Sequence, residues 1–468
     1  MKTRTETDSL GPRQVPAEAY WGVQTVRALE NFQITGIPVS HFPRLIQALG
    51  AVKKAAALAN LELDLLEPVL GQAIVAACDE VRAGRLDDHF VVDCIQGGAG
   101  TSTNMNANEV VANRALELLG RPRGDYAFLH PLNHVNLSQS TNDVYPTALR
   151  ISLVWYSRDL VHGLRELRQA LDAKAEEFST VLKMGRTQLQ DAVPMTLGQE
   201  FAAWSHTLGE DTDRIAEITR LLCEVNLGAT AIGTGINTVP GYAARACEIL
   251  AELTGLPVTL SENLIEATSD TGAYVTLSGM LKRVAVKVSK LCNDLRLLAS
   301  GPHTGFHEIN LPPVQPGSSI MPGKVNPVIP EVVNQVCYQV IGNDLSVTLG
   351  AQAGQLELNV FVPLIAFNLL QSLDILARAV DTLGQRCVRG ITANRDHCLA
   401  LLKSSAGVLT VLAPIIGYEA AAALVKKADA TGRPLEELAD EQGILSKEDF
   451  TALLDPESML APKERKKK

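Results

Sequence analysis

The sequence predicts a mainly α-helical subunit built around a central bundle of long antiparallel helices. Three observations predict it. Hydrophobic residues make up 46% of the 468 residues but aromatics only 4%, so the apolar mass is Ala, Leu, Val and Ile, the composition of packed helices. Apolar side chains recur at three- and four-residue steps over long stretches. Glycine and proline gather between those stretches rather than inside them.

Residues 1–40, with Pro12, Pro16 and Pro38, are expected to be irregular; Arg27 there either binds a carboxylate or closes an ordinary salt bridge. Helical patterns follow at about 41–61 and 69–84. The glycine-rich turn Gln96–Asn108 feeds a helix that continues to Leu119. From Thr147 to Phe178 the series Leu149, Leu153, Tyr156, Leu160, Leu164, Leu167 and Leu171 predicts a rod of roughly 45–50 Å at ~1.5 Å per residue. Further patterns cover 195–226, then Ser261 as N-cap of a run ending near Ser300, then 328–352 and 359–390, with Pro330 and Pro363 in tolerated first-turn positions. Rods apolar over more than one narrow face cannot cover one another in a monomer, so their remaining stripes are expected to meet in an oligomer. The predicted division is an N-terminal helical domain 1–140, a central long-helix domain 141–396, and a small C-terminal domain 397–468 broken up by Pro414, Gly417, Gly432, Pro434, Gly443 and Pro456.

The net charge of −10 argues against a nucleic-acid partner, and the basic run Lys463–Lys468 is expected to be a solvated tail. None of the eight cysteines lies in a C-x-x-C pair, and most fall in apolar helical runs, which predicts reduced, buried thiols. The N-terminus lacks an apolar export core and no run is expected to reach the length needed to span a bilayer, so a soluble, cytoplasmic protein is expected.

Four polar clusters punctuate the helices, at 101–106, 138–143, 185–191 and 315–326. They are rich in Ser, Thr, Asn, Gln and Gly, and lack paired carboxylates, metal-ligand histidine spacing or a Ser-His-Asp pattern. Hydroxyls, amides and a lone lysine suit a small, doubly negative ligand held by many fixed hydrogen bonds. For any one cluster helix capping and turn chemistry is the better reading; four at helix ends tip the balance to a shared pocket. The segment Gln315–Glu331 is the densest. Its glycines and prolines rule out regular helix across the loop, and Ser318, Ser319, Lys324 and Asn326 place binding groups on what reads as a mobile lid.

The run Gly317-Ser-Ser-Ile-Met-Pro-Gly-Lys-Val-Asn326 resembles the signature loop of the fumarase/aspartase superfamily. Pro330–Cys337, Ile341–Asp344 and Gln96–Asn104 resemble the aspartase branch, and Gln188 stands where fumarases of this class carry histidine; Trp21 and Gln24 lean toward fumarase. The resemblance implies a homotetramer with a twenty-helix core and active sites shared among three subunits. It implies reversible deamination of L-aspartate to fumarate by anti elimination through an aci-carboxylate. In that scheme Ser318 is the catalytic base. Thr101, Ser140, Thr141 and Ser319, with the Gly317–Ser319 backbone N–H groups, hold the β-carboxylate. Lys324, Asn326 and Thr187 hold the α-carboxylate, and Asn142 and Gln188 sit near the amino group. Spacing alone does not choose Ser318 over Ser319. No cofactor and no resident metal are implied; activation by a divalent metal is not legible in the sequence. The family's secondary anion site falls in the His130 segment, where Leu132, His134 and Leu137 replace the usual polar residues, so activation there is not expected and His130 is expected to be structural. A class II fumarase and a non-catalytic structural member of the superfamily stay open as alternatives.

Overall fold

The protein was described from a computed structural model, which covers residues 2–408, 413 and 416–453. The basic run Lys463–Lys468 and the breakers Pro414 and Pro456 lie outside the described residues.

The chain opens on regular structure where irregularity was expected. Strands β1 (Thr3–Asp8) and β2 (Gly11–Pro16) form an antiparallel hairpin, followed by α1 (Val23–Asn31). Pro12 and Pro16 are tolerated because a two-stranded ribbon has only edge strands. Arg27 makes a bidentate pair with Asp8 at 2.6 and 2.7 Å and also donates to the Gly11 carbonyl, so it holds this hairpin. Arg27 in turn holds the Asp8 carboxyl below the usual carboxylate range.

Helices α2 (Pro43–Glu62), α3 (Pro68–Arg82) and α4 (Thr101–Leu118) follow the predicted boundaries closely. Alanine-rich faces let α2 lie close against α3, and α3 against α4; Ala48, Leu49, Ala51, Val52, Ala55 and Ala56 are fully buried. The buried Glu109 of α4 accepts N–H bonds from Gly22, Gln24 and Thr25, and so supplies the cap that α1 lacks.

The first long helix, α5 (Thr141–Glu177), starts six residues before the predicted Thr147. Its 37 residues make a rod of about 55 Å at ~1.5 Å per residue. It runs through Pro146, which has no N–H to offer the Asn142 carbonyl. The Asn226 side-chain amide donates to that carbonyl instead, at 3.0 Å. Next come the hairpin β3 (Leu182–Thr187) and β4 (Gln190–Thr196) and helix α6 (Leu197–Ile218). The 195–226 pattern thus ends early, in a 3-10 turn over Thr219–Cys223. Helix α7 spans Tyr242–Thr254 and packs on α2.

Ser261 does not cap a continuous helix. Asn263 caps a short α8 (Leu264–Ser269), the chain turns extended at Asp270, and α9 runs over Gly272–Leu298. The Asp270 carboxylate takes the Gly272 N–H at 2.9 Å, which favours the restart. Helices α10 (Val328–Gln352), α11 (Val362–Arg386) and α12 (Arg395–Ser404) complete the main elements. Ser278 of α9 meets Asp344 of α10, and Ser289 meets Asn334, so these two helices run antiparallel. Asn343 meets Ser372 of α11 while Gly350 lies against Ile365, so α10 and α11 are antiparallel as well. All eight cysteines are buried, as predicted. One expectation fails: Val362–Gly390 is long and apolar enough to cross a membrane by length and composition. Its most apolar window is 61% buried inside the protein, as a core helix requires.

Two compact units emerge. The first comprises the described residues up to His162, Thr212–Val286 and Val336–Arg378; the second comprises Gly163–Asp211, Lys287–Gln335 and the described residues from Ala379 onward. In the second unit, Leu182 and Met184 at the base of the β3–β4 hairpin pack with Leu402, Leu424, Leu438 and Phe450 of the C-terminal helices. Behind them lies a buried ion cluster. Glu308, fully buried, meets Lys183 at 2.8 Å and Arg186 at 2.7 Å, and Lys183 also meets Glu200. These pairs fix strand β3 to the segment that leads into the 315–326 loop. Glu308→Ala leaves Arg186 without its carboxylate and Lys183 with Glu200 alone, and breaking this buried cluster is expected to lower the unfolding free energy by ~3–5 kcal/mol in urea titrations. A loss below about 1 kcal/mol, the worth of an exposed pair, would remove the cluster from that role.

Candidate functional site

Three of the expected site residues share one cleft in the first unit. Thr101 lies at the start of α4, and Ser140 and Thr141 at the start of α5. Asn104, Asn136, Gln139, Thr230, Ala231 and Asn237 line the same cleft. Two helix N-termini face it, and the partial positive charge at each favours an anion there. Three consecutive left-handed residues, Gly98, Ala99 and Gly100, deliver the chain into α4. At Gly100 a Cβ would come within 2.5 Å of the Tyr145 ring, so only glycine lets the start of α4 approach α5 this closely.

The start of α5 is set by a reciprocal cap. Ser140 Oγ accepts the Asn142 N–H at 3.3 Å, and the Asp143 carboxylate accepts the Ser140 N–H at 3.0 Å. The other Asp143 oxygen accepts the N–H groups of Gly228 and Thr230, both at 3.0 Å, which ties the 228–230 turn to the cleft. Burial raises the Asp143 pKa to about 6 against the pull of these N–H groups. Asn142 is not itself a lining residue of the cleft. Its amide donates to the carbonyl of Ala231, which is, and this leaves its side-chain oxygen as an acceptor.

Sequence reasoning missed the group beneath the cleft. Lys53 is fully buried in α2, and its Nζ donates to Asn104 Oδ1 at 2.6 Å, Asn136 Oδ1 at 2.9 Å and Gln139 Oε1 at 2.9 Å. Burial lowers its pKa to about 7, opposed by the charge of Asp143. The available signal was a lysine inside the run Ala51–Ala57, on a face otherwise too apolar for it. The turn that brings Thr230, Ala231 and Asn237 to the cleft is absent from the four predicted clusters.

The other expected residues lie in the second unit. Thr187 ends β3, and Gln188 forms the exposed hairpin tip with Leu189, both in left-handed conformation at φ 54° and 62°. That pair of positive φ values is the geometry of a tight two-residue hairpin turn, adopted here without glycine. Ser318, Ser319, Lys324 and Asn326 share one loop that bonds mainly to itself. Gly317 N–H donates to the Lys324 carbonyl at 2.9 Å, and the Asn326 amide donates to the Gly317 carbonyl at 2.6 Å. Ser318 Oγ accepts the N–H groups of Ile320 at 3.3 Å and Met321 at 3.0 Å. No such bonds reach Ser319 among the described residues, which separates two serines that spacing could not. Lys324 is exposed and makes no ion pair among the described residues. Ile320 at the loop tip is 84% exposed. His130 behaves as a structural residue: its Nδ1 accepts the N–H groups of Leu132 and Asn133 and caps the short helical turn after it.

The chain is similar to known proteins over most of its length. The lyase family model matches residues 11–342, and the model for the fumarase C C-terminus matches 408–461. The chain belongs to the fumarase/aspartase superfamily. It is 57% identical over 462 residues to the aspartate ammonia-lyase of Pseudomonas aeruginosa, covering 98% of each chain. A crystal structure of a fumarate lyase:delta crystallin from Brucella melitensis, bound to cobalt, superposes with a TM-score of 0.95 at 56% identity, over 98% of this chain and 100% of that one. A class II fumarase from Schistosoma mansoni superposes at 0.91 with 38% identity, over 98% and 99%. In this superfamily the 315–326 loop is the stretch that sequence reasoning placed at the centre of the site. At Gly317 a Cβ would lie 2.4 Å from the Lys324 carbonyl oxygen and 2.7 Å from the Asn326 N. Gly317→Ala is therefore expected to open the loop, seen as faster proteolytic cleavage within 318–325 with unchanged circular dichroism. Unchanged cleavage would show that the closure does not depend on that contact.

Proposed function

We propose that the protein catalyses the reversible deamination of L-aspartate to fumarate and ammonia, by anti elimination through an aci-carboxylate, with Ser318 as base. One observation carries the proposal: Ser318 Oγ receives two backbone N–H groups on a loop that also carries a cation, Lys324, with no ion pair among the described residues. A serine hydroxyl is a poor base unless its alkoxide is stabilised, and hydrogen bonds donated to the oxygen favour that form. The near-full-length likeness to aspartate ammonia-lyases, against 38% identity to a class II fumarase, supports aspartate as substrate, as does the uncharged Gln188.

The step balances as follows. The Ser318 alkoxide takes the Cβ proton. The electron pair moves into the β-carboxylate, which becomes an aci-carboxylate dianion. The pair then returns to form the Cα–Cβ double bond as the C–N bond breaks, and the amino group leaves as ammonia. The β-carboxylate gains charge in the transition state, so donors aimed at it accelerate the reaction. Thr101, Ser140, Thr141 and Ser319 supply hydroxyls for it. Lys324, Asn326 and Thr187 hold the α-carboxylate, whose charge does not change. The free acceptor of Asn142, with Gln188, receives the amino group.

These residues belong to separate stretches of the chain, and we infer that they meet in a homotetramer whose sites draw on three subunits. An uncovered stripe on α10 supports the oligomer: Tyr338, Leu345 and Leu349 are 56%, 62% and 53% exposed at helical spacing. The scheme uses protein groups alone and calls for no cofactor, and we propose a cytoplasmic enzyme, which eight buried cysteines support.

Fumarate formation followed by ultraviolet absorbance tests substrate choice, with L-aspartate expected to react and L-malate not. Reaction of malate alone would make the protein a fumarase, and silence with both would leave a structural oligomer. Ser318→Ala is expected to lower kcat by at least about a thousandfold with the oligomer intact; a rate near wild type would remove the base assignment. Lys324→Ala should act mainly through KM, and an unchanged KM would take that lysine out of the pocket.

A further inference from the structure

Position 53 lies on a densely buried stretch of α2, with Leu49, Val52 and Ala56 at 0% exposure. An apolar side chain there would pack at no electrostatic cost, whereas burying an ammonium costs several kcal/mol unless it is well satisfied. Lys53 is satisfied without a carboxylate in contact. Its three hydrogen-bond partners are the amide oxygens of Asn104, Asn136 and Gln139.

An ammonium has donors only, so each of these amides must turn its oxygen inward and its NH2 group away. The Asn136 NH2 then reaches the Gln139 carbonyl at 3.1 Å, and the Gln139 NH2 reaches the carbonyls of Val135 and Leu137. The Asn104 NH2 reaches the Asn136 side-chain oxygen at 3.2 Å and Thr141 Oγ1 at 3.1 Å. Of the three amides, Asn104 is therefore the one that bonds a hydroxyl of the cleft. A hydroxyl that accepts from Asn104 has its own proton left to donate.

We propose that Lys53 is a positioning residue: through Asn104 it fixes the Thr141 hydroxyl as a donor pointed at the substrate's carboxylate. This rests on the assignment of Thr141 to the β-carboxylate. Without the ammonium, Asn104 is free to flip and present its oxygen to Thr141. The threonine proton then turns inward, and the cleft loses a pre-set donor at the group where charge grows. A buried positive charge with no carboxylate in contact also adds to the field that favours the dianion.

Two substitutions test the relay in the full-length protein. Asn104→Asp keeps the side-chain shape and gives Lys53 a charged partner, but puts an acceptor where Thr141 needs a donor. It is expected to lower kcat for L-aspartate about 100-fold, the cost of one lost oxyanion donor, with KM changed far less and the melting temperature at or above wild type. Lys53→Met is expected to lower kcat similarly. In a Thr141→Val background, either substitution should cost at most about twofold more, since the group it acts through is already gone. Should Lys53→Met fail to give soluble protein, Asn104→Asp carries the test, because it leaves Lys53 paired. Wild-type kcat in Asn104→Asp, or an equal loss in both backgrounds, overturns the relay. Wild-type kcat/KM in Thr141→Val alone instead overturns the carboxylate assignment beneath it.

Discussion

The buried carboxylate of Asp143 holds the first turn of α5 in place, and the cleft depends on that turn. A helix start exposes backbone N–H groups that the helix cannot satisfy for itself. Asp143 accepts the N–H of Ser140 at that start and, with its other oxygen, the N–H groups of Gly228 and Thr230 in a distant turn. One side chain thereby sets the position of Ser140 and Thr141 and draws the 228–231 turn to the same place. The Asn226 amide completes the arrangement, since Pro146 would otherwise leave the Asn142 carbonyl without a donor. Ligand-facing residues on a rigid helix end are held more accurately than residues on a free loop.

The loop in the second unit follows the opposite logic. Its bonds run from Gly317 to Lys324 and Asn326, within itself, and its apolar tip side chains stand in solvent. Such a segment keeps its internal shape while its position stays free to change, as a lid requires. Ser318 rides on that shape with two N–H groups on its oxygen. The hairpin carrying Thr187 and Gln188 is anchored instead at its base, by the Lys183–Glu308–Arg186 ion cluster and the apolar cluster around Met184. Its turn residues are left exposed.

Much of this was legible in the sequence. Long apolar periodicity placed α2, α3, α4, α10 and α11 within a few residues, because burial of one face is a local pattern with a fixed period. The polar clusters named the hydroxyls and amides of the site, and the signature loop named Ser318 and Lys324. Errors fell where local rules met a distant partner. Helix α5 starts six residues earlier than expected, across Pro146, and Asn226, eighty residues on in the chain, donates to the carbonyl that the proline leaves without a partner. The β1–β2 hairpin was missed because edge strands tolerate the prolines that would break a central one. Ser261 looked like a cap, and the neighbouring Asn263 took that role.

The sequence by itself determined the helical class, the family and the inventory of groups able to bind a small dianion. These follow from periodicity and composition, which every stretch of chain carries within it. Tertiary structure alone decided which groups lie together in the first unit, with Thr101, Ser140 and Thr141 around one cleft. The signature match named Ser318 over Ser319, and the structure adds that two backbone N–H groups point at the Ser318 oxygen. Finding Lys53 required seeing three amides from distant segments converge on one ammonium. Hydrogen-bond direction is a property of neighbours in space, and no spacing along a chain encodes it.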